Sequence, residues 1–392
     1  MKKVVIISAK RTPIGSFGGN LASLSASKLG SIAIKSVIDE SGIDINLIDE
    51  VIMGNVLMGG QGQAPGRQAA LYAGLPQQVE CMTINKMCGS GLKAVMLAQQ
   101  AIQTGDANII VAGGMESMSN TPYALPHARN GYRLGHGQVI DLVVLDGLWD
   151  VYNNIHMGSC AEICAKNFSF KREELDEFAI NSYKRAIEAT SNGRFKDEIV
   201  PVKIELKKGD TIVDTDEEPG RVKFDKIPTI KPVFERDGVV TAANASSIND
   251  GAAALLVMSE EKAKELGLVP LVEIVSQSSA AKAPVDFTTA PADAINKVLK
   301  KANMKIEEID LFEINEAFAV VSLAVNKLLG LNSDKVNVNG GAVALGHPIG
   351  ASGARVLTTL IHEMKKRNSE FGIASLCIGG GEASALIIKN IN

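Results

Sequence analysis

Residues 85–91 (NKMCGSG) place a cysteine where it could act as a nucleophile. Cys88 follows an extended apolar segment and precedes a helical repeat of apolar residues between positions 92 and 102. The unpaired N–H groups and the positive end of that helix would favour thiolate over thiol. Gly89 and Gly91 leave room for backbone N–H groups beside a bound carbonyl. These residues alone are compatible with a nucleophile that carries a covalent intermediate, or with a buried cysteine at a tight turn.

Three blocks in the C-terminal third could supply bases and hydrogen-bond donors. His347 lies in a glycine-dense loop, residues 339–353, that leads into an apolar helix. Cys377 follows a predicted strand and precedes three successive glycines, and Asn315 opens the sequence NEAFA. A lone histidine in a loop is usually structural, and a glycine triplet is usually a turn. Each block is therefore weak singly, and the inference depends on their occurring together.

Four residues, taken in chain order with their local sequences, resemble the motifs of the thiolase family: Cys88, Asn315, His347 and Cys377. The resemblance extends from residue 4 to residue 388. It implies an α/β thiolase fold, in which two duplicated α/β/α/β/α-layered halves with mixed sheets carry an inserted loop domain. The helices after Cys88 and His347 would be buried between the sheets of two halves packed face to face.

The order of predicted elements agrees with a layered α/β fold, because strands alternate with helices. A strand at 4–9 precedes a helix at 26–40, with Ser25 as its N-cap and Gly42 as its stop. The alternation weakens near residue 119 and returns at 252–258.

We therefore expect three parts in the chain. Residues 1–268 would form an N-terminal half that carries the nucleophile and includes a coenzyme A-binding loop domain at about 119–249. Residues 269–392 would form the C-terminal half. The second half repeats the first: 271–276 corresponds to 4–9, and 352–355 corresponds to 90–93.

Composition excludes several classes of function. With 392 residues, 46% of them apolar, the chain can bury a large core. A net charge of -4 offers no surface for a polyanion, so no nucleic-acid partner is expected. No apolar run is long enough for a membrane span or a signal peptide, so we expect a cytoplasmic protein. The five scattered cysteines do not suggest disulfides, and Cys160 with Cys164 lacks the second pair of a zinc site, so no metal is expected.

The resemblance also assigns catalytic roles. It implies that Cys88 attacks a thioester, that His347 takes the Cys88 proton without needing a large pKa shift, and that Cys377 removes a proton beside the second carbonyl. A His347 nitrogen and a water held by Asn315 would stabilise the enolate oxygen. The backbone N–H groups of Cys88 and Gly379 would form the second oxyanion hole.

Eight further positions match the acyl and coenzyme A pocket of the family: Leu148, His156, Met157, Arg221, Phe234, Ser246, Ala317 and Phe318. His156 is expected to bind substrate rather than to catalyse. The sequence departs from the family pattern around Arg221, so whether Arg221 contacts the nucleotide is left open.

The resemblance favours a biosynthetic-type thiolase with acetyl-CoA C-acetyltransferase activity. Such an enzyme condenses two acetyl-CoA reversibly to acetoacetyl-CoA and CoA, by a ping-pong mechanism through acetyl-Cys88 and without a cofactor. A 3-ketoacyl-CoA thiolase that accepts acyl chains of a broader range or greater length is the alternative.

A decarboxylating synthase is less favoured because Cys377 stands where that relative has His or Asn. A non-catalytic lipid-binding module would have lost Cys88 or His347. The family and an irregular segment at 123–138 suggest a homotetramer, a dimer of dimers.

Overall fold

The computed structural model describes residues 2–205 and 209–391. Within these ranges the strands form one ten-stranded mixed sheet and three two-stranded ribbons. In chain order the strands are β1 (Val4–Arg11), β2 (Gly15–Ser16), β3 (Glu50–Gly54), β4 (Glu80–Ile84), β5 (Ile109–Ser117), β6 (Tyr123–Ala124), β7 (Ile140–Asp141), β8 (Trp149–Asp150), β9 (Ile155–His156), β10 (Val202–Ile204), β11 (Thr211–Val213), β12 (Asn249–Ser259), β13 (Val272–Ala281), β14 (Leu311–Ile314), β15 (Phe371–Ile378) and β16 (Glu382–Asn390).

The α-helices alternate with these strands, as the sequence predicted, and several short 3₁₀ turns connect them. The helices are α1 (Ala26–Ser41), α2 (Pro65–Tyr72), α3 (Ser90–Thr104), α4 (Met157–Phe168), α5 (Arg172–Ser191), α6 (Glu260–Glu265), α7 (Ala290–Ala302), α8 (Ala319–Leu329), α9 (Ala342–Leu345) and α10 (Ile349–Arg367). The predicted ends of α1 are confirmed. Ser25 accepts the backbone N–H of Lys28, and Gly42 closes the helix at a left-handed φ of 65°.

The strand pairing repeats between the two halves. β1 pairs antiparallel with β12, β12 antiparallel with β5, and β5 parallel with β3. In the second half β13, β16, β15 and β14 pair in the same order and directions. A β-bulge also recurs, between Ile6 and Ser8 in one half and between Ile274 and Ser276 in the other. The bulge aligns position 272 with position 4, one residue later than the sequence repeat indicated.

The two half-sheets are joined, which the sequence did not predict. β1 and β13 pair antiparallel at Val5 with Glu273 and at Ile6 with Val272, so the strands form one continuous sheet. Each of these strands would otherwise be the edge of its half-sheet, with unpaired N–H and C=O groups. The short pairing satisfies some of those groups while the half-sheets still enclose two helices.

Helices α3 and α10 lie between the half-sheets, as expected. A Cβ on Gly91 would stand 2.7 Å from the Ala354 nitrogen, and one on Gly353 would collide with Leu92. The two helices therefore touch backbone to backbone near their N-termini, which brings the loops before them together. Alternate side chains of β1 divide between two cores: Val4 and Ile6 face α3 and α10, whereas Val5 and Ile7 face α1.

The outer layers complete an α/β/α/β/α order. Helices α1 and α2 cover the N-terminal half-sheet, while α7 and α8 cover the C-terminal one. The segment between β5 and β12 contributes α4 and α5, which pack against α8 and α9. Arg11 anchors this segment through buried ion pairs with Glu198 and Asp216, 2.6 Å and 2.7 Å long. None of the helices within the described ranges has the length and apolar character that crossing a membrane requires.

Candidate active site

A cavity of about 450 Å³ opens where the two halves and the inserted segment meet. Its wall is mostly apolar. Ten of the thirteen residues that the sequence singled out for catalysis or binding line it: Cys88, Leu148, His156, Met157, Phe234, Ser246, Ala317, Phe318, His347 and Gly379. The fold therefore brings together residues that lie up to 291 positions apart in the chain, as the resemblance implied.

Cys88 stands at the turn between β4 and α3, as predicted. Ser90, the first residue of α3, fixes this turn: its hydroxyl accepts the Lys86 N–H at 2.8 Å and donates to the Met87 carbonyl at 2.7 Å. Met87 adopts a left-handed φ of 47°, which turns the chain so that Cys88 reaches the cavity. Local hydrogen bonding thus presents the sulfur immediately before the helix.

The expectation that the start of the helix favours thiolate over thiol at Cys88 is wrong, because the pKa of this thiol is raised. Burial raises the pKa of Cys88 to about 11, and the backbone N–H groups of Gly379 and Cys88 only partly oppose this rise. The charge of Glu116 raises the same pKa further. Because desolvation outweighs the helix terminus, the sulfur is a thiol at neutral pH and needs a base before it can attack.

His347 has a free ring nitrogen and lines the same cavity as Cys88. Its backbone N–H donates to Asn249 at 2.9 Å, and its Nδ1 lies 2.6 Å from the Ser352 hydroxyl. Ser352 in turn donates to the Pro348 carbonyl at 2.9 Å, so its oxygen can accept a proton from Nδ1. Among the described residues nothing hydrogen-bonds to Nε2, although the ring is buried. Nε2 is therefore available to a group in the cavity.

A base role for His347 requires no large pKa shift, but the structure shows one. Burial lowers the pKa of His347 to about 3, and the positive charge of Arg355 lowers it further. The imidazole is consequently neutral throughout the physiological range. A neutral ring whose Nδ1–H is bound to Ser352 carries a lone pair on Nε2, which is the form a general base requires.

Cys377 lies behind the cavity wall, near the end of β15, and is fully buried. Burial raises the pKa of Cys377 well above its ordinary value, and the nearby Cys88 raises it as well. The turns that hold the two cysteines are in contact, because a Cβ on Gly89 would stand 2.3 Å from the Ile378 side chain. The turn that follows, with Gly380 at φ 91° and Gly381 at φ 89°, directs the Gly379 N–H to the Cys88 sulfur.

Asn315 contacts His347 rather than the cavity. It follows β14, is fully buried, and places Nδ2 3.4 Å from Nδ1 of His347. Its Oδ1 lies 3.4 Å from Nη2 of Arg355, whose Nη1 lies 3.7 Å from Glu313. The predicted role of Asn315 in holding a water stays a prediction.

Aromatic rings form the wall on the side of the inserted segment. His156 stacks on Phe234 at 4.8 Å, and Phe318 meets both Phe234 and Phe287 edge to face. Burial lowers the pKa of His156, and its Nδ1 accepts the Gly158 N–H as the cap of α4. His156 is therefore a neutral part of the wall, in agreement with a binding role.

Arg221 is not among the cavity residues. It ends a short 3₁₀ turn, its side chain is 59% exposed, and it pairs with Glu217 at 3.2 Å. A contact with a nucleotide outside the cavity stays a prediction.

Sequence reasoning assigned no role to several residues at the site. Phe287 and Met118 line the cavity, and Glu116, Ser352 and Arg355 are buried polar groups around it. Only Ser352 had a usable signal, because the internal repeat aligns it with Ser90. The others come close to the site through tertiary packing that no local pattern records.

Comparison with known proteins supports the resemblance over the whole chain. Two family models match: Thiolase, N-terminal domain, over residues 4–261, and Thiolase, C-terminal domain, over residues 268–390. Acetyl-CoA acetyltransferase 2 from Arabidopsis thaliana is 53% identical, covering 99% of this chain and 97% of the relative. The mitochondrial acetyl-CoA acetyltransferase from Bos taurus is 54% identical, covering 100% of this chain and 92% of the relative.

A solved structure agrees with these matches. The crystal structure of Acat5 thiolase from Ascaris suum in complex with coenzyme A superposes with a TM-score of 0.95 at 46% identity, over 100% of both chains. The fold, the two family models and full-length identity above 50% lead to one conclusion: this chain belongs to the thiolase family.

Proposed function

We propose that this protein is an acetyl-CoA C-acetyltransferase that condenses two acetyl-CoA reversibly to acetoacetyl-CoA and CoA. The observation that carries the proposal is the convergence of Cys88, the free Nε2 of His347 and Gly379 on one apolar cavity. The names of the full-length relatives support the choice of acetyl-CoA as substrate. Coenzyme A in the Ascaris suum structure supports a thioester ligand.

In the first half-reaction, the Cys88 thiol gives its proton to Nε2 of His347, and the thiolate attacks the carbonyl carbon of acetyl-CoA. The N–H groups of Cys88 and Gly379, which lie against the sulfur, stabilise the developing oxyanion. The C–S bond to CoA then breaks. Cys377 gives its proton to the leaving sulfur, so CoA departs as a thiol and Cys377 becomes a thiolate.

In the second half-reaction, the Cys377 thiolate takes a proton from the methyl group of a second acetyl-CoA. A thiol with a raised pKa yields a strongly basic thiolate, which suits removal of a weakly acidic C–H proton. The Nε2–H of His347 and the predicted water at Asn315 stabilise the enolate oxygen. The enolate attacks acetyl-Cys88, and the departing Cys88 sulfur recovers its proton from His347. Every step uses side chains and thioester substrates, so the proposal includes no cofactor.

We infer that the substrates carry short acyl groups. The cavity wall includes Met157 and the rings of His156, Phe234 and Phe318, which limit the room for a longer chain. Comparison of thiolysis rates for acetoacetyl-CoA and longer 3-ketoacyl-CoA substrates tests this proposal. We expect kcat/KM to fall as the chain lengthens. Equal or higher values for long chains would favour the alternative, a 3-ketoacyl-CoA thiolase.

We also propose a homotetramer built as a dimer of dimers. Strand β4 is the edge of the large sheet and exposes 44% of Met82, so it can pair with another chain. The β6 and β7 ribbon carries exposed apolar side chains, among them Leu134 and Val139, which need a second surface. Native mass spectrometry should give a tetramer that separates into dimers.

The predicted division into residues 1–268, with an inserted coenzyme A-binding segment at about 119–249, and residues 269–392 is part of the same proposal. The inserted segment supplies His156 and Phe234 to the aromatic wall, which supports its binding role. We propose a cytoplasmic location, although the Bos taurus relative is named as mitochondrial. Fractionation of the source cells tests this location.

A further inference from the structure

Glu116 is a fully buried carboxylate for which the proposed reaction has no use. It lies at the end of β5 and accepts four N–H hydrogen bonds. Oε1 accepts from the Asn55 side chain at 2.6 Å and from the Leu57 backbone at 3.2 Å. Oε2 accepts from the Val56 backbone at 3.0 Å and from the Gly350 backbone at 2.8 Å. All four acceptor directions of the carboxylate are thereby occupied.

These four donors belong to different halves of the molecule. Residues 55–57 follow β3 in the N-terminal half, and Val56 and Leu57 form an apolar cluster against which Cys88 packs. Gly350 is the second residue of α10 in the C-terminal half and lies three positions after His347. One side chain thus joins the surroundings of Cys88 to the helix that directly follows the loop carrying His347.

The N-terminus of α10 depends on this carboxylate. Pro348, its N-cap residue, provides no side-chain hydrogen bond to the first turn. A buried anion compensates the unpaired N–H groups and the positive end of a helix. Glu116 occupies that place, although it comes from the opposite half of the molecule. Burial raises the pKa of Glu116 to about 7, but its four N–H donors favour the ionised form.

The contact between Glu116 at the end of β5 and Gly350 at the start of α10 is tightly packed. A Cβ on Gly350 would stand 2.8 Å from Oε2 of Glu116 and 2.9 Å from the Met115 carbonyl, so the strand end and the helix start touch directly. A buried carboxylate that loses its donors costs several kcal/mol or more. Shifting α10 away from β5 would break the Gly350 bond and leave that charge less compensated.

We propose that Glu116 is a positioning residue that holds the start of α10, and with it the preceding loop that carries His347, in register with Cys88. It does not line the cavity and does not touch substrate. Its effect is on the distance and angle between Nε2 of His347 and the Cys88 sulfur. Proton transfer and attack are sensitive to such geometry, and a displacement of about 1 Å can cost roughly a hundredfold in rate. This inference rests on the proposed function, because its assay is acetylation of Cys88.

Glu116→Gln is the direct test, because it retains size and removes one acceptor. The glutamine oxygen can still accept the N–H groups of Val56 and Gly350. The glutamine nitrogen, itself a donor, then faces the N–H donors of Asn55 and Leu57 and cannot accept from them. We expect the single-turnover rate of Cys88 acetylation to fall by roughly ten- to a hundredfold, with the KM for acetyl-CoA nearly unchanged.

Asn55→Asp in the Glu116→Gln background is the matched rescue. The aspartate restores the negative charge and accepts the glutamine N–H, so the hydrogen bond between positions 55 and 116 returns with reversed polarity. We expect most of the lost rate to return. A residue with a merely structural role would alter thermal stability without this recovery of the rate per folded molecule.

Three results would overturn the proposal: acetylation by Glu116→Gln at the wild-type rate, a loss matched by an equal rise in KM, or a double variant that regains stability but no rate. If Glu116→Gln does not fold, Glu116→Asp serves instead, since its carboxylate is one methylene short of Gly350 and should slow acetylation. A wild-type rate for Glu116→Asp would then overturn the proposal. The wild-type protein is assayed first, because failure to acetylate Cys88 would refute the proposed function itself.

Discussion

The two halves of the molecule share a scaffold but use equivalent serines differently. Ser90 and Ser352 both lie in the first turn of a central helix, one residue before the glycine at which the two helices touch. Ser90 binds backbone groups of its own turn, whereas Ser352 binds the imidazole of His347. The shared scaffold therefore brings the two loops together, and the proposed function assigns the nucleophile to one half and the base to the other.

Buried carboxylates show the same division. Glu116 in the N-terminal half binds the start of α10 in the C-terminal half. Glu316 in the C-terminal half accepts from Ser182 of the inserted segment at 2.6 Å, from Asn337 at 2.9 Å and from Val343 at 3.2 Å. Each carboxylate joins its own half to a different unit. The relative placement of the units thus depends on a few buried anions as well as on apolar packing.

The sharpest test of this division removes the nucleophile from one half. Cys88→Ser should lower turnover by a factor on the order of 10⁶, the size seen when a nucleophile is lost in other enzymes. Cys81→Ser is the matched control, since Cys81 lies on β4 outside the cavity, and it should retain activity. Steady-state thiolysis of acetoacetyl-CoA measures both. Substantial turnover by Cys88→Ser would mean that the C-terminal half carries the nucleophile.

Removal of a donor from the C-terminal half should have the next largest effect. Asn315→Ala should slow condensation and thiolysis by roughly ten- to a thousandfold, as for loss of one oxyanion donor. Asn326→Ala, on α8 and away from the cavity, is a control that should change little. Unchanged turnover in Asn315→Ala would show that another group holds the water.

The paired serines allow a direct comparison. Ser352→Ala should slow Cys88 acetylation about fivefold, because Nδ1 of His347 loses a hydrogen bond worth about 1 kcal/mol and with it the partner that keeps its proton there. Ser352→Thr retains the hydroxyl and should lose less. Ser90→Ala should instead lower the thermal stability of the Cys88 turn. Equal changes in acetylation rate and in melting temperature for Ser352→Ala and Ser90→Ala would contradict the different roles given to the two serines.

The pH dependence should be the smallest effect near neutrality. His347 has a pKa of about 3 in the folded protein, below its ordinary 6.5, so it stays neutral at pH 5.5 to 8 and should add no acid limb near 6.5 to the acetylation rate. As pH falls from 6.5 towards 3, the unfolded state binds more protons at His347 than the folded state. The free energy of unfolding of the protein therefore decreases over this range.

Urea unfolding checks this sign. Between pH 7 and pH 5 the wild-type protein should lose more stability than His347→Asn, which has no imidazole to protonate when unfolded. An equal loss in the two proteins would show that other groups dominate acid unfolding.

Local patterns were enough to predict much of the fold and the site. The caps of α1, the turn before α3 and the repeat of 90–93 at 352–355 each reflect chemistry within a few residues, and the structure has all three. The pairing of β1 with β13 was not predictable, because it joins strands more than 260 positions apart.

The pKa values of Cys88 and His347 were not predictable for a related reason. Helix position suggested that Cys88 favours the thiolate, and residue type suggested that His347 needs no large pKa shift to act as a base. Desolvation and the charges of Glu116 and Arg355 govern both groups, and these come from tertiary packing. Arg221 likewise had a family position but no local signal for its ion pair with Glu217.

Mass spectrometry after incubation with acetyl-CoA tests the central claim, that one half carries the nucleophile and the other the base, most directly. The account predicts one acetyl group per chain, on the peptide that contains Cys88, released when CoA is added. An active protein without the adduct, or with the acetyl group on Cys377, would contradict it.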